Sequence, residues 1–522
     1  MKTTVKVVLI LLTLAVALYI NLILSSLPTN MGDINVYKIH SKSINDYGLH
    51  SAYSYIPDDY AKSYYGYPGR YNPYLPVIMY FYKFSGSIYQ KYFSSSFDLS
   101  KNTLTTLIKL PSILFDLLIA LIIFWIFLKK TNFVKAYVAM VLYAFNPAII
   151  LCTAYYGMQD SFHAAFLLLS MFFLIKRKMT LSLIFLTMGS LAKPQIWVFV
   201  PLIFLLNILD SNIKEISRAT VTSFILLFLI ISPFLFHGPE VRIDLFLLFP
   251  AILNCMQVVT ANALNFWWLV TLGHSPMIPE TNLFLNFIPY RLAAMFLFGF
   301  FYLVVAVKLL KEENENSKLM LFGFLTFAFF MLFVRHHENH YFATVPLLIL
   351  STLSNKKFGF ILGILSFTFA CNILLYDGDI ILPFLALSPG RLHFLRFMCS
   401  LVNTLILSIW SVSILKSFSY TDLKELRRVF RNYNTLYISL VLLAASIVVL
   451  LMPLRNLINS FIIRCFERGM IGLSGIHTLE YYVQQGNSMV SKINILMVVS
   501  VILFSTMVAI NVWHKLKNKG WK

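Results

Sequence analysis

Long runs of apolar residues recur along nearly the whole chain, separated by short polar segments. The first run extends from Val7 to about Leu27, behind the basic segment 1–6. A helix that crosses a bilayer needs about 20 apolar residues, so each run predicts a crossing. Later runs lie at about 104–128, 134–153, 162–175, 179–192, 195–209, 219–236, 288–307, 319–334, 341–354, 358–375, 393–415, 436–452 and 491–513. Together they predict an all-α membrane protein with about fourteen transmembrane helices.

The first run is longer than the apolar core of a signal peptide, which predicts an uncleaved first helix. Two other segments do not fit simple crossings. The segment 28–102 is the longest polar stretch, and its part 75–93 is aromatic but carries two lysines, which predicts an amphipathic interfacial helix. Lys-Pro-Gln at 193–195 interrupts the run 179–209, so this region forms two short helices or one discontinuous element.

Basic clusters recur at alternate ends of the predicted helices. Cytoplasmic loops of membrane proteins carry an excess of Lys and Arg. The side of the membrane that carries the basic clusters, together with both termini, is therefore predicted to be cytoplasmic. The clusters lie at 129–130, 176–178, 308–311, 356–357, 424–431 and 515–522. The extracytoplasmic side then receives the active site and the loops at 28–102, 237–287, 335–340 and 453–490.

The composition agrees with a membrane protein. Of 522 residues, 59% are hydrophobic and 12% are charged, against about 25% charged in a soluble domain. These values exclude a soluble globular protein, a disordered chain and a disulfide scaffold. The net charge of +20 is explained by cytoplasmic Lys and Arg, so nucleic acid is not an expected partner. The five cysteines are scattered and show no metal-ligand spacing.

Polar residues collect on the predicted extracytoplasmic side. Asp33 follows the first run, where a carboxylate could act as a general base on an acceptor hydroxyl or serve only as a helix N-cap. The segment 67–76 is rich in Tyr and Pro, which fix a rigid path. Its rings suit sugar stacking or an interfacial aromatic belt. Its candidate substrate-binding residues are Tyr67, Arg70 and Asn72.

Charged and amide side chains also occur at predicted helix ends. Lys109 and Asp116 are seven residues apart on one helix face, where an ion pair and a functional role both fit. Lys193 could bind an anionic phosphate, or it could be an ordinary lysine whose side chain extends to the membrane–water interface. Further candidate substrate-binding residues, which could also be structural anchors, are Gln159, Asp160, Gln195, Asn262 and Asn265.

The densest polar cluster is Arg-His-His-Glu-Asn-His-Tyr at 335–341, between two apolar runs. Arg and His side chains bind phosphate or pyrophosphate. A metal site is a weaker interpretation, because only two residues separate His337 from His340 and the His-Glu-x-x-His spacing is absent. The candidate residues are Arg335, His336 and His337 for a phosphate, and Glu338, His340 and Tyr341 for other parts of a substrate.

In their order, these motifs resemble the GT-C membrane glycosyltransferases, whose first outer loop carries an acidic residue soon after the first helix. The resemblance covers about residues 1–355 and leaves 356–522 as a variable C-terminal transmembrane module. The single Asp33 is closer to the glucosyltransferases of asparagine-linked glycan assembly than to metal-dependent members with paired acids. The family's His-Glu-Arg-Tyr reads His-Glu-Asn-His here, and Arg335 is the candidate for the missing charge. The other matching segments are 67–76, 109–116, 157–161, 193–195 and 262–267.

The resemblance implies transfer of a hexose, mannose or glucose above all, from a polyprenyl-phosphate carrier in the membrane lipid to a lipid-linked or cell-surface glycan. It implies inversion, with Asp33 as the base and Lys193, Arg335 and His337 on the phosphate. No cofactor is certain, and a divalent metal held by Asp33 with Asp160 or Glu338 is possible. The competing interpretations are a lipid transporter or flippase, and a non-catalytic membrane assembly partner. The role of 371–522 cannot be read from the sequence.

Overall fold

The computed structural model describes residues 2–53, 74–209, 211–237, 240–241 and 257–416. Tyr67, Arg70 and Asn72 lie outside the described residues. The predicted helices at 436–452 and 491–513 and the loop 453–490 lie outside them as well. Predictions for these segments therefore stay predictions.

The described chain is helical, with two very short antiparallel hairpins. The helices are α1 (Thr3–Ser25), α2 (Met31–Tyr47), α3 (Pro76–Tyr92), α4 (Asn102–Lys130), α5 (Phe133–Ala144), α6 (Pro147–Ile150), α7 (Asp160–Ile175), α8 (Met179–Ser190), α9 (Val200–Leu209), α10 (Ile213–Leu235), α11 (Phe266–Val270), α12 (Tyr290–Lys311), α13 (Glu315–Leu332), α14 (Thr344–Ser351), α15 (Phe358–Leu374), α16 (Ile381–Leu385) and α17 (Pro389–Lys416). The strands are β1 (Phe236–His237), β2 (Glu240–Val241), β3 (Leu283–Phe284) and β4 (Ile288–Pro289), and β1 pairs with β2 and β3 with β4.

Seven helices in the described part of the chain are long and apolar enough to cross a membrane. One of them continues from α5 through α6 and a π-helical turn at Leu151–Tyr155. Four shorter apolar helices, α7, α8, α9 and α15, accompany them. The prediction of an all-α integral membrane protein is confirmed.

The interrupted region takes one of its two predicted forms, and one predicted crossing is too short. The interrupted region 179–209 consists of two short helices, α8 and α9, joined by a 3-10 turn at Pro194–Val198. The residue before a proline is pushed to an extended backbone, and Lys193 has φ −153° and ψ 139°. The run 341–354 contains only the eight-residue α14. At about 1.5 Å per residue, that helix is too short to span a bilayer alone.

Burial divides the helices into central and peripheral sets. Helix α13 is mostly enclosed, and all eight residues of α14 are buried beside it. Helices α1 and α10 are the least buried of the spanning helices. Their exposed residues are mainly apolar, including Leu11, Tyr19, Phe224 and Leu229. Apolar side chains on the outside of a membrane protein contact lipid, so α1 and α10 lie at the bundle's rim.

Basic segments from three loops meet at one end of the bundle. Glu315, at the start of α13, accepts hydrogen bonds from Lys130 at 2.6 Å and from Lys176 at 2.8 Å. A cavity at this end is lined by Arg177, Lys311 and other residues of the same loops. The predicted clustering of these basic segments on one side agrees with the structure. The opposite end carries the polar cluster described next.

Candidate active site

A buried ion pair joins two segments at the polar end. Asp160, the first residue of α7, is fully buried. Lys193 Nζ donates to its Oδ1 at 2.5 Å, and Asn339 Nδ2 donates to its Oδ2 at 2.6 Å. A carboxylate at a helix N-terminus is also stabilised by the helix dipole. One side chain therefore holds three segments that are far apart in the sequence.

Lys193 keeps some contact with solvent, because its side chain is 18% exposed. An ammonium group has three donors, and the bond to Asp160 uses one of them. Lys193 is therefore fixed in place and still has donor capacity toward an anion. Gln195, two residues later, is half-buried in the 3-10 turn that follows.

The segment 335–341 forms a turn between α13 and α14. His336 is buried, and its Nε2 lies 2.8 Å from the carbonyl oxygen of Phe329. A carbonyl only accepts, so Nε2 carries the proton, and in neutral His336 Nδ1 accepts from His340 Nδ1 at 3.0 Å. Burial lowers the pKa of His336 to about 3, which keeps it neutral. The structure thus turns His336 inward and couples it to His340.

His337 is the more exposed member of this turn, with 28% of its side chain accessible. Its Nδ1 lies 3.9 Å from a carboxylate oxygen of Glu338. Burial and then the positive charge of Lys193 lower the pKa of His337. The charge of Lys193 thus opposes protonation of His337, the carboxylate of Asp160 favours it, and an anion bound beside them would favour it further.

Glu338 is buried, and its side chain is 3% exposed. Burial first, and then the negative charges of Asp33 and Asp160, raise its pKa to about 7, while hydrogen bonds with its own backbone and with Asn262 oppose the change. Its Oε2 has no hydrogen-bond partner among the described residues. A carboxyl group with this pKa exchanges its proton near neutral pH.

Asp33 lies in the first turn of α2 and is half-buried. The alternative that Asp33 is the N-cap is wrong, because Asn30 occupies that position with φ 50°. Asn30 Nδ2 donates to Asp33 Oδ2 at 3.2 Å and to the carbonyl oxygen of Tyr156 at 3.1 Å. These contacts hold the start of α2 against the end of the π-helical turn.

Two acidic residues that the sequence analysis missed lie at the same end. Tyr155 Oη donates to Asp377 at 2.5 Å, and the backbone N–H of Met31 donates to Asp379 at 2.9 Å. Burial raises the pKa of Tyr156, and the charges of Glu338, Asp33, Asp377 and Asp379 raise it further. The polar triplet at 377–379 directly after an apolar run was the available signal.

Gly157 and Gln159 lie in the turn that precedes α7. Gln159 is buried and donates to the hydroxyl of Tyr82 at 2.5 Å. Gly157 has φ +78°, and a Cβ there would lie 2.6 Å from Ile34 Cδ1 and 2.8 Å from Lys109 Cε. Only glycine fits this left-handed position without displacing its neighbours.

Several candidate residues have structural partners. Arg335 forms a two-point ion pair with the buried Glu280, through Nε at 2.6 Å and through Nη2. Asn265 is fully buried, caps α11 through the N–H of Trp268, and donates to the carbonyl of Phe330 at 3.1 Å. Tyr341 is buried and stacks on Phe330. The carbonyl of Asn262 accepts from Asn372 at 2.7 Å.

Lys109 and Asp116 do not form the ion pair that was one of the two expectations. Lys109 Nζ donates to the carbonyl oxygen of Tyr155 at 2.7 Å, and Asp116 accepts from the hydroxyl of Tyr143 at 3.1 Å. Seven residues of helix separate them by about 10 Å along the axis, which is beyond direct contact. Each instead fastens α4 to the helix that ends at Tyr155.

No group of three or more His, Cys, Asp or Glu side chains that could hold a metal ion occurs among the described residues. A scan of protein-family models finds no match to this chain. A search of curated proteins finds none either. The function is therefore argued from the site itself.

Proposed function

We propose that this protein is a membrane glycosyltransferase that moves a hexose from a polyprenyl-phosphate carrier to a glycan acceptor, and that the full chain has the GT-C architecture with about fourteen transmembrane helices. The observation that carries the proposal is the meeting of cationic and acidic side chains at one end of an apolar bundle. Hydrogen bonds through Asp160 join Lys193 to Asn339, in the turn that also carries His337 and Glu338, and the charge of Asp33 contributes to the raised pKa of Glu338. Lys193, Asp33 and the turn at 335–341 come from three separate parts of the chain.

Lys193 and His337 are the proposed phosphate ligands. Burial, and after it the charge of Lys193, lowers the pKa of His337, and a bound phosphate would offset the part that is due to Lys193. Asp160 fixes the ammonium group that faces the phosphate. We assign no phosphate contact to Arg335, because its guanidinium is engaged by Glu280. Fixed cations in a site sheltered from water stabilise the charge of the departing phosphate.

Asp33 is the proposed general base. It takes the proton of an acceptor hydroxyl while that oxygen attacks the anomeric carbon. The bond between the anomeric carbon and the phosphate oxygen breaks, and polyprenyl phosphate leaves with the electron pair. One displacement inverts the anomeric configuration. Glu338, which titrates near pH 7, is suited to hold the acceptor hydroxyl beside Asp33.

A transfer assay on purified protein in lipid tests this function. The panel comprises polyprenyl-phosphate mannose and polyprenyl-phosphate glucose with lipid-linked glycan acceptors, with and without a chelator. Wild type is expected to transfer one of these sugars, and Asp33→Asn to lose transfer while remaining folded. Asp46→Asn is the matched control, because Asp46 lies on the same helix in a surface pair with Lys42.

Transfer by Asp33→Asn at the wild-type rate would reject Asp33 as the base. Intact donors with every acceptor would reject the glycosyltransferase proposal. A flippase would then be examined with fluorescent lipids in the same vesicles, because it would move them without breaking the sugar–phosphate bond. The chelator arm reports whether a divalent metal takes part.

A further inference from the structure

The β3–β4 hairpin presents large apolar side chains outward. Leu285 is 80% exposed and Phe287 is 86% exposed, at the three-residue loop between the two strands. Met277, in the preceding 3-10 turn, is 84% exposed. Leu283 is also exposed. Clusters of exposed apolar side chains mark a surface that meets another apolar phase.

The conformation of the turn does not explain why large apolar residues occur at the tip of the hairpin. Leu285 and Asn286 have φ values of 53° and 57°. Gly, Asn and Asp are the residues that tolerate this left-handed conformation, and leucine adopts it at a cost. The turn itself therefore does not require an apolar side chain at its tip.

The hairpin is continuous with a spanning helix. Strand β4 ends at Pro289, and α12 begins at Tyr290. An exposed apolar stripe then follows α12 at helical spacing, formed by Leu292, Phe296, Phe300 and Leu303. Because α12 is apolar and long enough to cross a membrane, this stripe faces lipid. The hairpin lies at the start of that lipid-facing stripe.

The base of the hairpin is fixed to the protein. The half-buried Phe284 packs on Trp267 and Tyr290, with ring centroids 5.4 Å away in each case. The backbone N–H of Tyr290 donates to the carbonyl of Asn282 at 3.0 Å. One face of the hairpin is thus packed inward, and the side chains at its tip point away from that packing.

We propose that this hairpin is a membrane anchor that inserts Leu285 and Phe287, with Met277 beside them, into the bilayer next to α12. Its occupant is bulk bilayer lipid at the boundary of headgroups and acyl chains. Amphipathic surface elements bury their apolar side chains about 5–10 Å into this region. The segment 237–287, expected from the sequence to be an outer loop, would therefore be in part an interfacial element.

The test uses the full chain in vesicles of phosphatidylcholine, with a nitroxide label on one introduced cysteine at a time. The probes are Leu285→Cys, Phe287→Cys and Met277→Cys. Phe296→Cys gives the lipid reference on α12, and Glu313→Cys gives the water reference in the exposed turn after α12. The unsubstituted protein, labelled identically, supplies the background from the native cysteines. Relaxation by oxygen, which concentrates in lipid, is compared with relaxation by a water-soluble nickel chelate.

At positions 285 and 287 the ratio of oxygen to nickel accessibility is expected to lie nearer the Phe296 value than the Glu313 value. A ratio nearer the Glu313 value at both positions would place the tip in water and overturn the proposal. Low accessibility to both reagents would also overturn it, because the tip would then be covered by protein. All three probes are exposed, so these substitutions leave the packed base intact. The outcome does not depend on any transferase activity.

Discussion

The carboxyl group of Glu338 should make the stability of this protein fall as the pH rises toward neutrality. Its folded-state pKa is about 7, against an ordinary value of 4.5. Below pH 4.5 the group is protonated in both the folded and the unfolded chain. Between the two values the folded protein keeps the proton and the unfolded chain releases it. Stability therefore decreases with rising pH across this window.

The size of the effect follows from the two pKa values. One pKa unit corresponds to about 1.4 kcal/mol, so a change from 4.5 to about 7 removes about 3 kcal/mol by pH 8. The side chain is 3% exposed, so solvent screens little of this effect. Glu338→Gln keeps the shape of the side chain and removes its charge. The variant should exceed wild type in stability by less than about 1 kcal/mol at pH 5 and by about 3 kcal/mol at pH 8.

Thermal unfolding in detergent, followed at several pH values between 5 and 8, measures this difference. The comparison of two proteins at each pH cancels the titration of the surrounding histidines. Asp46→Asn serves as the control, because its surface pair with Lys42 contributes little. Parallel stability curves for wild type and Glu338→Gln would refute the reasoning, since Glu338 would then be ionised without penalty.

Two further substitutions test the packing of the polar end. Asp160→Asn should destabilise the protein by about 3 kcal/mol, which is the low end for a broken buried ion pair, because Lys193 keeps some solvent contact. Adding Lys193→Met to this variant should recover part of the lost stability in a double-mutant cycle measured by thermal unfolding. Strictly additive effects of the two substitutions would contradict the pairing. Gly157→Ala should lower the free energy of unfolding by more than about 1 kcal/mol, because of the positive φ at this position and a clash with Ile34. Gly299→Ala is the control, because Gly299 has open space around it and the substitution should not destabilise the protein. Equal melting temperatures for the two variants would contradict this account.

The helices follow from the sequence because apolar runs and helix signals are local. Asn212 and Glu215 form a capping box at the start of α10, and Asn132 caps α5 through the N–H of Lys135. The break at Lys193 was visible because proline restricts the residue before it. The shortness of α14 was not visible, because an apolar composition fits both a spanning helix and a buried core helix.

The site is harder to predict because its contacts join distant residues. Asp160 and Asn339 are 179 positions apart, and nothing in either local motif indicates that they bond. The cluster at 335–341 stood out by composition, yet its members diverge in the structure. His336 turns inward to Phe329, Arg335 turns to Glu280, and His337 stays partly exposed beside Glu338. Pairing of this kind is set by tertiary packing, which a single sequence does not display.

Arg335 connects the polar end to the base of the β3–β4 hairpin. Glu280 is buried and lies within reach of two arginines, Arg335 and Arg291, the latter at 3.6 Å. A buried carboxylate is stable only with such partners, so Glu280 holds together the base of the hairpin, the start of α12 and the turn that carries His337. If the hairpin rests in the lipid interface, this ion pair fixes the height of His337 relative to the bilayer. That height matters for the proposed lipid-linked donor, because its phosphate would lie at the level of the headgroups.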